Sequence, residues 1–192
     1  MSNDRARLFV ALELPRNVRE ALVRWRERLG SDAVKRLRPI ASEALHVTLC
    51  FLGWRAEDEV SAIAAACTVV AAEAAPALSL GASLWLPRRR PRVLAVELED
   101  AHAGLARVQA ALSGALSAGG WYEPENRPYL AHVTVARVKG DGRDARLPEP
   151  PAPPRLNFQA SRVVLYRSRL SRAGAHYEPL GIVELAGGIG GG

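Results

Sequence analysis

Hydrophobic positions along the chain follow two spacings, one typical of strands and one of helices. Residues 7–14, RLFVALEL, predict a strand, and Pro15 suits the first turn of the helix that follows it. That helix is indicated by apolar residues at helical spacing before Gly30: Val18, Leu22, Trp25 and Leu29. The chain therefore begins with a strand followed by an amphipathic helix.

The rest of the chain continues the mixture of strands and helices. An alanine-rich helix is expected over residues 57–74, and a second helix follows Asp100, which suits an N-cap, and ends at Gly119-Gly120. The Pro-, Gly- and charge-rich residues 139–155 predict a loop. Strands are expected over residues 34–39, 78–86, 92–98, 161–166 and 177–185, and residues 45–52 form a further apolar-rich segment.

Two matches at the same distance indicate an internal repeat. Residues 8–13, LFVALE, match residues 94–99, LAVELE, at four of six positions and an offset of 86. His46-Val-Thr-Leu49 matches His132-Val-Thr-Val135 at the same offset of 86. A generic amphipathic strand explains either match alone but not the shared offset. We therefore expect two related halves whose His-x-Thr strands face each other.

Composition and charge narrow the class of protein. The 192 residues are 48% hydrophobic and 24% charged, with a formal net charge of +6. A basic surface favours polyanions such as nucleic acid. Two cysteines make no disulfide framework, and neither a signal peptide nor a membrane-spanning run is evident, so we expect a cytoplasmic protein that does not associate with membranes. Residues 1–185 are expected to form one domain, and 186–192 a flexible glycine-rich tail.

The repeated His-x-Thr motif is the candidate chemistry. Two of only three threonines, Thr48 and Thr134, lie two residues after two of only four histidines, His46 and His132. In a strand, residues i and i+2 share a face, so each hydroxyl projects beside its imidazole. One imidazole can activate water while the other protonates a leaving oxygen, and the hydroxyls can bind a phosphate between them.

Other interpretations of these residues stay open at this point. The histidines can be partly buried strand residues bonded to backbone groups, although two at the repeat offset favour a site. A metal centre is disfavoured, because neither motif carries clustered carboxylate or cysteine ligands. Cys50 can be a nucleophile but is more often core packing. The arginines at 88–90 are ordinarily a solvated turn, but next to a cleft they would guide RNA.

Several segments resemble one known family, the bacterial and archaeal 2′-5′ RNA ligases, which act as RNA 2′,3′-cyclic phosphodiesterases and belong to the 2H phosphoesterases. The matching segments are residues 7–15 (RLFVALELP), 45–49 (LHVTL), 51–53 (FLG), 127–129 (RPY), 132–137 (HVTVAR) and 165–168 (LYRS). The resemblance implies an α+β fold with two pseudo-symmetric lobes, each an antiparallel sheet with outer helices, around a central cleft that carries both His-x-Thr motifs.

The same resemblance implies an activity and a role for each site residue. The enzyme would open terminal cyclic phosphates of RNA, such as tRNA fragments, to 2′-phosphate ends without metal or cofactor, acting as a monomer. 2′-5′ ligation would be the reverse reaction. His46 would be the proton donor and His132 the acceptor. The phosphate would be bound by Thr48, Thr134 and Arg137, and Phe51 would stack on the terminal base, unless it is simply a core residue.

Three related functions remain alternatives: hydrolysis of 2′-5′ oligonucleotides, hydrolysis of a small cyclic nucleotide, or binding of RNA ends without turnover.

The spacing of Phe51 and Arg137 from the two histidines predicts an irregularity in both strands. Each lies five residues after its histidine, which in a regular strand places it on the opposite face. Since these two positions are also 86 apart, we expect both strands to bend or end there.

Overall fold

A large antiparallel sheet forms the framework of the chain. The computed structural model describes residues 5–30, 35–140, 147, 149–171 and 174–188. Its strands are β1 (Arg5–Glu13), β2 (Leu37–Pro39), β3 (His46–Ala56), β4 (Ala77–Leu86), β5 (Val93–Glu99), β6 (His132–Val138), β7 (Asn157–Gln159), β8 (Arg162–Ser171) and β9 (Gly174–Glu184). The helices are α1 (Arg16–Glu27), α2 (Val60–Cys67) and α3 (Gly104–Ala118), with 3-10 turns at Ser42–Ala44, Glu57–Glu59 and Thr68–Ala72. The expected α+β class is confirmed.

The strand order brings the two His-x-Thr strands together in the middle of the sheet. The order is β7-β4-β5-β6-β3-β1-β8-β9, and β2 also pairs with β6. The strands β3 and β6 pair through Val47 and Val133, which are themselves 86 residues apart. Equivalent positions of the repeat therefore lie side by side. The division into two lobes stays a prediction.

The helices bury apolar stripes that the sequence pattern indicated. In α1, Val18, Leu22 and Trp25 are buried. The start of α3 is held by Asp100, whose two carboxylate oxygens accept hydrogen bonds from the backbone N–H groups of Gly104 (2.8 Å) and Ala106 (2.9 Å). These bonds satisfy donors that the first turn of a helix leaves free. Asp100 therefore caps α3 as predicted, although the N-cap position itself is occupied by Ala103.

Each His-x-Thr strand contains a β-bulge directly after its threonine. Opposite β1, Thr48 pairs with Ala11 and the next partner pair is Cys50 with Val10, so Leu49 is an extra residue. Opposite β5, the pairing likewise passes from Thr134 to Ala136 and leaves out Val135. A bulge reverses the alternation of faces. The bend expected in both strands is confirmed, and it returns Phe51 and Arg137 to the side of their histidines.

Two expected elements are shorter in the structure. The strand expected over 34–39 covers only Leu37–Pro39, since residues 35–36 are helical and residue 34 lies outside the described ranges. The helix expected over 57–74 is regular only in α2. It tightens into a 3-10 turn at Thr68, whose hydroxyl donates to the carbonyl of Ala65 and so competes with the helical backbone bonds.

The expected loop over residues 139–155 and the expected tail from residue 186 are described in part. The described part of 139–155 contains neither helix nor strand, and residues 141–146 and 148 lie outside the described ranges. At the C-terminus, Ala186 exchanges backbone hydrogen bonds with Glu73 and Ala75, so ordered pairing extends to the first residue of the expected tail. Residues 189–192 are not among those described.

Candidate active site

One pocket of about 150 Å³ contains all six residues that the sequence singled out. Four of them are the two histidines and their threonines, on the paired strands β3 and β6. The bulges of the same strands direct Phe51 and Arg137 into the pocket as well. The lining consists of these six residues together with Arg7, Phe9, Ile40, Ala44, Ser168 and Tyr177.

Backbone carbonyls fix the orientation of both imidazoles. Nδ1 of His46 lies 2.7 Å from the carbonyl oxygen of Ala44, and Nδ1 of His132 lies 2.8 Å from that of Leu130. A carbonyl can only accept, so each Nδ1 carries the proton and each neutral ring has its lone pair at Nε2. For His46, the Thr48 hydroxyl lies 3.1 Å from Nε2 and donates to it. Each ring thus has Nε2 available for proton transfer.

An aromatic cluster surrounds His46. Its ring centroid is 4.9 Å from that of Phe9 and 5.2 Å from that of Tyr177, which meets it edge-on, while Tyr166 lies 6.5 Å away. Burial lowers the pKa of His46 to about 4, the positive charge of Arg137 and the neighbouring His132 also lower it, and the hydrogen bond to Ala44 opposes them. His46 is therefore neutral at pH 7 in the free protein.

Two arginines give the pocket an unbalanced positive charge. Arg137 makes no ion pair with a carboxylate of the described residues, and Arg7 makes none either. Arg7 stacks its guanidinium 4.7 Å above the Phe51 ring and donates to the Ser168 hydroxyl at 3.4 Å. None of the residues lining the pocket carries a carboxylate. The pocket can therefore hold an anion beside two imidazoles, which are groups able to transfer protons.

The structure decides between several interpretations that the sequence left open. Phe51 is 50% exposed and is not a core residue. Cys50 is buried by the bulge, and burial raises the pKa of its thiol to about 12, so it is no nucleophile. The other two histidines, His102 and His176, are exposed and lie outside the pocket. The arginines at 88–90 lie in an exposed turn that does not line it.

Two tyrosines, Tyr129 and Tyr166, contact residues that line the pocket. Tyr129 donates to the backbone carbonyl of Thr48 at 2.9 Å, and so supports the strand just before its bulge. Tyr166 stacks on Phe9, with 5.3 Å between ring centroids. Both therefore support residues that line the pocket.

Sequence reasoning missed the part of the pocket contributed by β1, β8 and β9. Arg7 and Ser168 lie in segments that carry the family resemblance, but no spacing rule connects residues 161 positions apart. Phe9 and Tyr177 look like ordinary strand aromatics in the sequence. The only available signal was strand parity, which places Arg7 and Phe9 on one face of β1.

The described residues contain neither a metal-ligand cluster nor a membrane-spanning helix. Within the ranges given above, no three His, Cys, Asp or Glu side chains are grouped so that they can hold a metal ion. No helix in the described part of the chain has the length and apolarity needed to cross a membrane.

Comparison with known proteins shows similarity over nearly the whole chain. The model of the 2′-5′ RNA ligase superfamily matches residues 14–172. The RNA 2′,3′-cyclic phosphodiesterase of Thermus thermophilus is 30% identical and that of Escherichia coli is 28% identical. The matches cover 94% and 91% of this chain and 91% and 93% of those proteins.

A solved structure shows that the fold is similar as well. The crystal structure of E. coli LigT complexed with NADP⁺ superposes with a TM-score of 0.77 at 26% identity, and the match covers 95% of this chain and 99% of that one. The family match over residues 14–172 includes both His-x-Thr motifs.

Proposed function

Because the chain belongs to the 2′-5′ RNA ligase superfamily, we propose that it is an RNA 2′,3′-cyclic phosphodiesterase that opens terminal cyclic phosphates to 2′-phosphate ends. Two relatives that match more than 90% of its length carry that name. The observation that supports the proposal most directly is the pair of imidazoles in one pocket, each with Nδ1 bonded to a backbone carbonyl and its lone pair at Nε2, where it can take part in proton transfer.

The phosphate binds between the two central strands. Its non-bridging oxygens accept hydrogen bonds from the Thr48 and Thr134 hydroxyls, and Arg137 supplies the positive charge. These donors come from strands rather than loops, so they are held in place before the substrate arrives. The terminal base stacks on the exposed face of Phe51.

In the reaction, water attacks phosphorus from the side opposite the ribose 3′ oxygen. Nε2 of His132 takes the proton of the water as the new P–O bond forms. The bond from phosphorus to O3′ breaks, and Nε2–H of His46 delivers its proton to O3′. The products are a 2′-phosphate and a 3′-hydroxyl, and a second proton exchange with water returns both imidazoles to their starting forms.

The low pKa of His46 links proton donation to substrate binding. At a pKa of about 4, roughly one molecule in a thousand carries a protonated His46 at pH 7. The negative charge of a bound phosphodiester favours the charged imidazolium and raises that pKa. His46 then becomes a proton donor chiefly when the phosphate is present.

The test is incubation of purified protein with a 2′,3′-cyclic nucleotide in EDTA, followed by chromatographic identification of the product. The proposal requires the 2′-phosphate isomer and its loss in the His132→Gln variant. His102→Gln, an exposed histidine outside the pocket, is the matched control and should retain wild-type turnover. Formation of the 3′-phosphate, or equal turnover by wild type and His132→Gln, would contradict it. Action on tRNA fragments and the monomeric state stay predictions.

A further inference from the structure

A second groove opens beside the candidate active site and is continuous with it. Its volume is about 630 Å³, and it shares Arg7 and Ser168 with the first pocket. Its other lining residues include Arg5, Trp54 and Arg169. None of these three lines the active-site pocket or has a role in the reaction described above.

Trp54 is the unusual residue of this groove. It is 56% exposed, although burial of so large an apolar side chain is ordinarily favourable. It lies in β3 directly opposite Arg7 of β1, and its carbonyl accepts a hydrogen bond from Arg5 at 2.9 Å. The aromatic side chain is thus carried on a paired strand and left accessible.

The groove is also positively charged. Arg167 and Arg169 are paired with Glu178, and Arg167 also with Glu57. In contrast, Arg5 and Arg7 form no ion pair with any carboxylate of the described residues. Unpaired arginines beside an accessible aromatic ring are the combination that binds single-stranded nucleic acid, through backbone phosphates and stacked bases.

We propose that this groove binds the RNA nucleotides on the 5′ side of the cyclic phosphate, with a base stacked on Trp54 and backbone phosphates beside Arg5 and Arg7. The inference rests on the proposed function, because it takes the end of the RNA to occupy the active site. Trp54 and Phe51 pair with Arg7 and Phe9, which are two residues apart on β1, on the order of 7 Å at a strand rise of about 3.3 Å. About two nucleotides of stacked strand span that distance.

The groove therefore makes the enzyme prefer an oligonucleotide end over a cyclic mononucleotide. We expect kcat/KM of the wild type to rise from 2′,3′-cyclic AMP to an oligoadenylate of about four nucleotides that ends in a cyclic phosphate, and then to level off. Trp54→Ala should lower kcat/KM for the tetranucleotide about ten-fold more than for the mononucleotide, the scale of one lost stacked base. Trp54→Phe should restore most of the preference.

Two matched controls separate the groove from general effects of substitution. Ile182 is 49% exposed on β9 and lines neither pocket, so Ile182→Ala should keep the wild-type length preference. Arg5→Gln should reduce the slope of log Kd against log salt by about 0.7 for a single strand, because one phosphate contact is lost. Arg28→Gln, at an exposed site outside both pockets, should leave that slope unchanged.

Binding of a non-cleavable oligoadenylate with a 2′-phosphate end, measured by fluorescence anisotropy, separates this inference from the proposed function. If the wild type hydrolyses neither substrate, the proposed function is wrong, and weaker oligonucleotide binding by Trp54→Ala would still support the groove. A wild type without length preference overturns the groove, as does an equal loss on both substrates in Trp54→Ala. Equal affinity for a blunt duplex would also overturn it, since paired bases cannot stack on Trp54.

Discussion

The partly buried position of His46 leads to a prediction about stability that does not depend on the substrate. The pKa of an unfolded histidine is about 6.5, whereas burial lowers that of folded His46 to about 4. Between these values the unfolded chain binds a proton that the folded chain does not. Lowering the pH therefore favours unfolding, and the effect begins below pH 6.5 and is complete below about pH 4.

The expected magnitude follows from the two pKa values. From pH 7.5 to pH 5, linkage gives a loss of about 2 kcal/mol in the free energy of unfolding from His46 alone. Carboxylates also titrate in acid, so the wild-type curve by itself does not isolate this contribution. Replacing His46 by glutamine, which does not titrate, removes it and leaves the carboxylates in place.

The assay is urea denaturation of both proteins, followed by circular dichroism at several pH values between 7.5 and 5. The difference in stability between wild type and His46→Gln should shift by about 2 kcal/mol in favour of the variant as the pH falls. His102→Gln, at an exposed site, should follow the wild type. Parallel curves for wild type and His46→Gln would refute the conclusion that His46 is buried in its neutral form.

Four further predictions concern the site and the fold. His46→Ala and His132→Ala should each lower kcat for a 2′,3′-cyclic nucleotide by about 10²–10⁴-fold, because each removes a proposed proton-transfer group. Loss of the Thr48 or Thr134 hydroxyl should lower kcat by less. The rates are measured by chromatography. A substrate with an activated leaving group should rescue His46→Ala more than His132→Ala in the same assay, because it needs little protonation. Turnover should be unchanged in EDTA and need no nucleotide cofactor. Asp100→Ala should lower the free energy of unfolding by about 1 kcal/mol in urea denaturation, through loss of the α3 cap.

Each of these predictions has an outcome that contradicts it. Near-wild-type rates in either alanine variant would exclude that histidine from proton transfer. Preferential rescue of His132→Ala would mean that the donor and acceptor are reversed. Loss of activity in EDTA, with recovery on adding a divalent ion, would require a metal. Unchanged stability of Asp100→Ala beside the conservative control Asp100→Asn would mean that the cap contributes nothing to folding.

Local patterns in the sequence were sufficient to predict most of the helices and strands and the residues that meet in the pocket. The alternation in β1, the spacing of Val18, Leu22 and Trp25 in α1, and Asp100 before α3 act over a few residues, where backbone geometry alone relates sequence to structure. The repeat offset of 86 identified His46 and His132 as equivalent. The equivalent positions of Phe51 and Arg137 also predicted that each strand bends or ends near them, and the structure contains a bulge shortly before each.

The internal repeat does not predict the register of strand pairing. His46 pairs with Glu13, yet His132 pairs with Glu97 rather than with Glu99, the counterpart of Glu13. The register therefore differs by two residues between the halves. Since the period of a strand is two, this slip preserves the face that each side chain occupies. Equivalent residues of the two repeats therefore occupy the same face of the sheet, but they do not pair with equivalent residues on the neighbouring strand.

The sequence by itself predicted two candidate proton-transfer groups, their threonines and the strands that carry them, because these follow from short-range periodicity and an internal repeat. Only the tertiary structure decided that β8, from the far end of the chain, pairs with β1 and brings Ser168 to Arg7. It also decided that Phe9 and Tyr177 pack against His46 and that burial lowers the pKa of its imidazole. These contacts join residues far apart in the chain, and burial is a property of the packed surroundings, which no local pattern encodes.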